Sequence, residues 1–196
     1  MKKITTLLVA LLAIFALNLQ GQNAWINEIH YDNTGGDTNE GIEVAGRAGI
    51  DLSAYWVYPY DGDGTFETQK VKQLSGIVPK HQVSYGTVWC DGFLLGLENE
   101  QEGLALIHIA GSQTNVIQFL SYEGSSSLTA ADGPAKGFIA EDIDVKEPGP
   151  IDTSLQLIGS GNAYADFTWT GPIQHTRGAI NTGQTFVPVP TLLLLR

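Results

Sequence analysis

Past its apolar N-terminal segment, this chain has no window in which apolar residues keep a helical spacing over three turns. They fall instead into short runs bounded by Gly, Pro, Asn, Asp or Ser, a pattern that points to strands joined by turns and so to an all-β domain. The runs predict strands over Trp25–Tyr31, Gly41–Val44, Tyr55–Tyr60, Thr65–Lys72, Val83–Trp89, Leu104–Ile109, Val116–Tyr122, Ser154–Ile158 and Asp166–Trp169. "LALIHIAGSQTNVIQFLSY" is the clearest hairpin, with Ala110–Asn115 as its loop. "QLIGSGNAYADFTW" predicts a second pair around a Gly-Ser-Gly-Asn turn. In "YWVYPYDGDG", Tyr55, Val57 and Pro59 share one face and Trp56, Tyr58 and Tyr60 the other. Pro59 has no N–H for a ladder, so this segment is expected to be an edge strand or to end there. Its aromatic residues are expected to anchor the core, with sugar stacking the rarer use of such a row. Residues 124–150, polar and carrying Pro134, Pro148 and Pro150, predict a long crossing loop with at most one helical turn.

The N-terminal segment has the order of a secretory signal peptide. Lys2 and Lys3 precede the uncharged run Ile4–Leu17 and a polar stretch, with cleavage expected near Gly21 or Gln22. The apolar run is shorter than the ~20 residues of a spanning helix, so no membrane span is expected after cleavage; an uncleaved anchor is the alternative. We read residues 1–22 as the signal, 23–186 as one domain and 187–196, "VPVPTLLLLR", as a short tail. The tail resembles the start of bacterial sorting tails in which Val-Pro-x-Pro precedes a hydrophobic helix, but the helix is almost absent, and an inert tail is the plainer reading. The formal charge of −11 and the scattered Lys and Arg disfavour direct nucleic-acid binding, which rests on a basic patch. Cys90 is the only cysteine, so no intramolecular disulfide forms; its place after Val88 and Trp89 predicts a buried structural thiol.

The acidic stretch "WINEIHYDNTGGDTNEGIEVAG" invites a metal reading. Counted from Asp32, the EF-hand positions three, five and six fall on Thr34, Gly36 and Asp37, and only Glu43 fits at twelve. From Asp61, Phe66 takes the glycine position and Lys72 the final glutamate, so both loops fail as EF-hands. An irregular calcium site on loop carboxylates is left open; otherwise no cofactor is expected. His30, His81, His108 and His175 lie far apart without a zinc spacing. No nucleophile elbow and no phosphate-binding glycine loop occurs, so the residues supply no catalytic, cofactor-binding or metal site to name.

Order and spacing together resemble the bacterial secreted lamin tail domain family. The likeness begins with Ile26-Asn27-Glu28-Ile29, an Asp/Gly turn, Asn39-Glu40 and Ile42-Glu43-Val44, followed by Asp51-Leu52-Ser53 before Tyr55-Trp56. It continues in "EGLALIHIAG" and the closing "FTWTGPIQHTRGAINTGQTF", and so spans Trp25–Phe186. Gly41 stands where the family has an aromatic or apolar residue, Ala54 where it has Gly, and Arg177 where it has Pro. The resemblance implies an immunoglobulin-like β-sandwich in which Glu28, Glu40 and Glu43 accept hydrogen bonds at one end and the Gly-Gly turn closes the first hairpin. It also implies an exported, non-catalytic module that tethers or accompanies secreted hydrolases, with a protein or glycan partner. A secreted metal-dependent nuclease using Asp32, Asp37, Asp61 and Asp63 is the enzymatic alternative, and a structural cell-surface component the third.

Overall fold

The computed structural model describes residues 24–124 and 127–189. The signal segment 1–22 lies outside the described residues, as does the tail from residue 190 onward. Eleven strands follow one another: β1 Ala24–His30, β2 Gly41–Arg47, β3 Tyr55–Asp61, β4 Lys72–Gln73, β5 Tyr85–Asp91, β6 Glu102–Ala110, β7 Gln113–Tyr122, β8 Glu141–Asp142, β9 Thr153–Gly161, β10 Phe167–Gln174 and β11 Gln184–Phe186. Single 3₁₀ turns at Leu52–Ala54 and Tyr164–Asp166 are the helical elements among these residues.

The strands form two sheets, and the protein is an all-β sandwich. One sheet runs β10-β9-β1-β2-β5, with β11 added in parallel to β9; the other runs β4-β3-β6-β7-β8. Their facing sides meet in one core, where Ile29, Ile42, Val44 and Leu155 pack with Val57, Leu104, Leu106 and Leu120. Strand alternation sends every second side chain to that core. Tyr55 and Val57 of β3 point inward, while Trp56, Tyr58 and Tyr60 join a second cluster on the opposite face. That cluster is roofed by Leu128, Ala130, Ala135 and Ala140. Residues 124–150 therefore do more than cross between strands. They cover the outer face of a sheet and contribute β8, in parallel with β7, and their described part contains no helical turn.

Several boundaries differ from the sequence reading. Thr65–Lys72 is not a strand: Phe66 makes an isolated bridge to Tyr60, and Glu67 to Lys70 form a turn closed by Lys70 N–H to Glu67 C=O. Phe66 alone offers this segment a core anchor. The ladder resumes only at Lys72–Gln73, opposite Trp56 and Val57. β3 is consequently next to an edge of two residues and does not end at Pro59; it continues to Asp61, opposite Glu102. Val83 sits in the left-handed region at φ 55° within a Gln82–Tyr85 turn, so the strand there starts at Tyr85. The hairpin loop is tighter than Ala110–Asn115, with pairing that reaches Ala110 and Gln113 around Gly111-Ser112. Gly111 at φ 60° supplies the backbone twist that such a short turn requires. The Gly-Ser-Gly stretch is strand rather than turn, because β11 pairs with Gly159, Ser160 and Gly161; the reversal comes at Tyr164–Asp166, and the following strand runs on to Gln174.

Candidate functional site at the carboxylate-rich end

β1 and β2 pair as the first hairpin, closed by the loop that contains Gly35 and Gly36. A bulge between Ile26 and Glu28 leaves Asn27 unpaired and sets Glu28 directly opposite Glu43. Like charges in that position repel, and both side chains are fully buried, so each must be satisfied from within the chain. The residues after β10 do much of this. Glu28 accepts from Ser154 Oγ at 2.7 Å, Thr176 N at 3.2 Å and Thr176 Oγ1 at 2.9 Å. Glu43 accepts from Asn27 Nδ2 at 2.9 Å and Gly178 N at 2.7 Å. Asn27 and Gln184 exchange two amide bonds, at 3.1 and 2.7 Å. Asn181 Nδ2 donates to the Asn27 and Leu157 carbonyls, each at 3.0 Å. Burial, helped by the Glu28 charge, pushes the Glu43 carboxyl up to about 8.

The third glutamate of the stretch, Glu40, accepts from Leu97 N at 2.5 Å across to the β5–β6 connection. All three glutamates thus receive hydrogen bonds within the chain. A fourth, Glu147, comes from the long 124–150 segment and was not legible in the sequence. Its Oε2 accepts from Tyr31 N and Asp32 N, each at 2.8 Å, and its Oε1 lies 2.9 Å from His30 Nδ1. Its own N–H donates to Tyr31 Oη at 2.8 Å. Glu147 therefore clamps the end of β1 from outside the sheet. Burial is the largest single influence and works against a charged His30, but the hydrogen bond to Glu147 and the Glu147 charge, with the Thr38 carbonyl, together outweigh it and raise the imidazole pKa. Asn33 Nδ2 at 3.1 Å and the Thr38 carbonyl at 3.1 Å complete the surroundings of the His30 ring.

The second sheet adds its own acidic centre. Tyr31 and Tyr122 stack at 4.1 Å, and Tyr122 Oη donates to the fully buried Glu102, which also accepts from Glu98 N at 2.9 Å. Burial raises the Glu102 carboxyl pKa. Lys70, 6% exposed, bridges Glu98 at 2.6 Å and Glu67 at 3.0 Å. The turn that replaced the expected Thr65–Lys72 strand is what carries Lys70 to these partners.

The four loop aspartates divide into two pairs, Asp32 with Asp37 in one loop and Asp61 with Asp63 in another. Asp37 accepts from Asn33 N and Asn99 Nδ2, which hold its carboxyl below the usual range, while slight burial and the nearby Asp37 raise that of Asp32. Asp61 and Asp63 accept from Gly62 N and Thr65 N. Among the described residues no group of three His, Cys, Asp or Glu side chains could hold a metal ion. The histidines do not converge: His81 lies 3.4 Å from Thr87 Oγ1, His108 packs 4.7 Å from the Tyr55 ring, and His175 bonds through its backbone to Asp152. Cys90 is buried, and its thiol is pushed up to about 12 by that burial.

Gly41 and Arg177 belong to one feature of packing. A Cβ on Gly41 would stand 2.6 Å from the Cys90 carbonyl and 2.7 Å from the Trp89 ring. Trp89 fills the space a larger residue would need, and the Arg177 guanidinium covers it at 4.8 Å. Gly41, Trp89 and Arg177 are distant in sequence, and only β2–β5 pairing and the closing segment bring them together.

These observations define a two-sheet all-β sandwich whose buried carboxylates tie the first hairpin to segments far along the chain. No protein-family model, curated protein or solved structure matches the chain.

Proposed function

We propose that this chain is an exported, non-catalytic binding or tethering module of the lamin-tail type, with an immunoglobulin-like sandwich and a protein or glycan partner at the cell surface or outside it. One observation carries the reading. The glutamates of the opening stretch, with Glu147, accept hydrogen bonds from backbone and side-chain donors of the chain itself, so they act as internal fasteners. The basic and apolar order of residues 1–22 supports export. The test pairs two measurements on the purified chain. Labelled duplex DNA, incubated with and without calcium and magnesium, should remain intact and unshifted on a gel, and a bacterial cell-envelope fraction should retain the protein saturably. Metal-dependent cleavage lost on replacing Asp32, Asp37, Asp61 and Asp63 would overturn the reading in favour of a nuclease. Failure of the envelope fraction to retain the protein would count against surface tethering.

A further inference from the structure

Between the last strand of each sheet lies a cleft that the carboxylate network does not use. β10 ends one sheet and β8 the other, and a cavity of about 390 Å³ opens between them. That is near the lower end of the ~300–1,000 Å³ of small-ligand pockets, enough for a long side chain. Tyr164, Phe167 and Trp169 form one wall, and Glu141, Asp142 and Asp144 line the other side. Trp169 Nε1 donates to Tyr164 Oη at 3.1 Å, and Tyr164 Oη donates to Glu141 Oε1 at 2.9 Å. The indole N–H is therefore spent internally, and the Glu141 carboxylate is held in place across the gap between the sheets. Among the described residues, no basic side chain lines the cleft. The nearest in sequence, Lys146, is bonded elsewhere, to the Glu123 carbonyl at 2.9 Å.

We propose that this cleft receives a Lys or Arg side chain from an extended segment of a partner protein; the proposal rests on the binding-module reading and names its partner chemistry. The rings are core residues, each 8% exposed, so what they present to the cleft is an apolar floor. Carboxylates above it with no basic neighbour favour a cation whose apolar stem meets that floor while its charge meets the rim. A neutral sugar could donate hydroxyl hydrogen bonds to these carboxylates but would bring no charge to offset theirs. The formal charge of −11 draws basic segments toward the molecule from a distance. Among the described residues β10 is the last strand of its sheet, and its outer edge offers a line along which an extended chain can lie.

The experiment is an NMR titration of the ¹⁵N-labelled chain with an extended Lys/Arg-bearing peptide and with a Gln-bearing peptide of equal length. The basic peptide should shift the amides of Ile143–Val145 and Phe167–Trp169 and the Trp169 indole, and its binding should weaken with added salt. Glu141→Gln and Asp144→Asn should each weaken binding roughly three-fold. Both positions are exposed, and Asn tolerates the left-handed backbone of Asp144 at φ 57°, so the fold is not at risk. Equal binding of the neutral peptide, no binding at all, or binding indifferent to both substitutions would overturn the proposal. The same two variants are then tested on the envelope fraction. Retention unchanged in both would sink the cleft and leave the binding-module reading standing, whereas no retention of even the unsubstituted chain would sink that reading.

Discussion

The substitution Glu43→Gln separates what this side chain's shape contributes from what its charge costs. Glu43 is fully buried, opposite Glu28, and its two oxygens take hydrogen bonds from Asn27 Nδ2 and Gly178 N. An amide has one acceptor oxygen, so the variant keeps one of these bonds and leaves the other donor facing an NH₂ group. That costs about 1–2 kcal/mol where both side chains are neutral. The pH dependence runs the other way. The folded carboxyl titrates at about 8 against an ordinary 4.5, so between those values the native state holds a proton that the unfolded chain has released. Native-state proton excess means that stability falls as pH rises, by at most about 1.4 kcal/mol per unit and roughly 5 kcal/mol across the interval. The amide of the variant has nothing to titrate and escapes this loss. Urea denaturation of both proteins at pH 5, 6, 7 and 8, followed by tryptophan fluorescence, should show the variant less stable at pH 5, and the gap closing and then reversing toward pH 8. Other titrating groups are shared and cancel in the difference. Parallel profiles would refute the argument: the two donors would then be holding Glu43 as a carboxylate already at pH 5, with burial the lesser influence.

Three further predictions test the surrounding structure. Gly41→Ala should destabilise by about 1–3 kcal/mol, because the new methyl must displace the Trp89 ring or the Cys90 backbone, and a lowered urea midpoint with an unchanged slope would register it. Cys90 should resist a thiol reagent such as Ellman's in the folded protein and react in full once urea unfolds the chain; rapid labelling without denaturant would place the thiol outside the core. Lys70→Met should cost about 1–2 kcal/mol by leaving Glu67 and Glu98 without their cation, read as a lowered urea midpoint; an unchanged midpoint would show that the two ion pairs add nothing to stability.

Alternation alone located most of the sandwich. The β6–β7 hairpin and the two faces of β3 follow from side chains that switch sides at every residue, a regularity visible in a few consecutive letters. The segment Thr65–Lys72 misled because its β-prone letters conceal the want of an apolar face, and a turn that brings Lys70 to two glutamates satisfies it better. The Gly-Ser-Gly stretch misled for the opposite reason. Turn residues became strand because a distant segment, β11, arrived to pair with them. For the candidate site, the part played by Glu28, Glu40 and Glu43 was reachable through resemblance, while Glu147 gave no local signal in its Pro-flanked loop.

The sequence by itself determined the class of fold, the lone buried thiol and the residues that could carry charge into the interior, since each depends on neighbours along the chain. The tertiary structure alone decided which donors meet which carboxylates: Thr176 with Glu28, Gly178 with Glu43, Tyr31 with Glu147. It also decided that Gly41 makes room for Trp89 and that a cleft remains between β8 and β10. The physical reason is that a buried carboxylate is tolerable only when satisfied, and these three pairs join residues more than a hundred positions apart, which only strand pairing and chain closure can bring together.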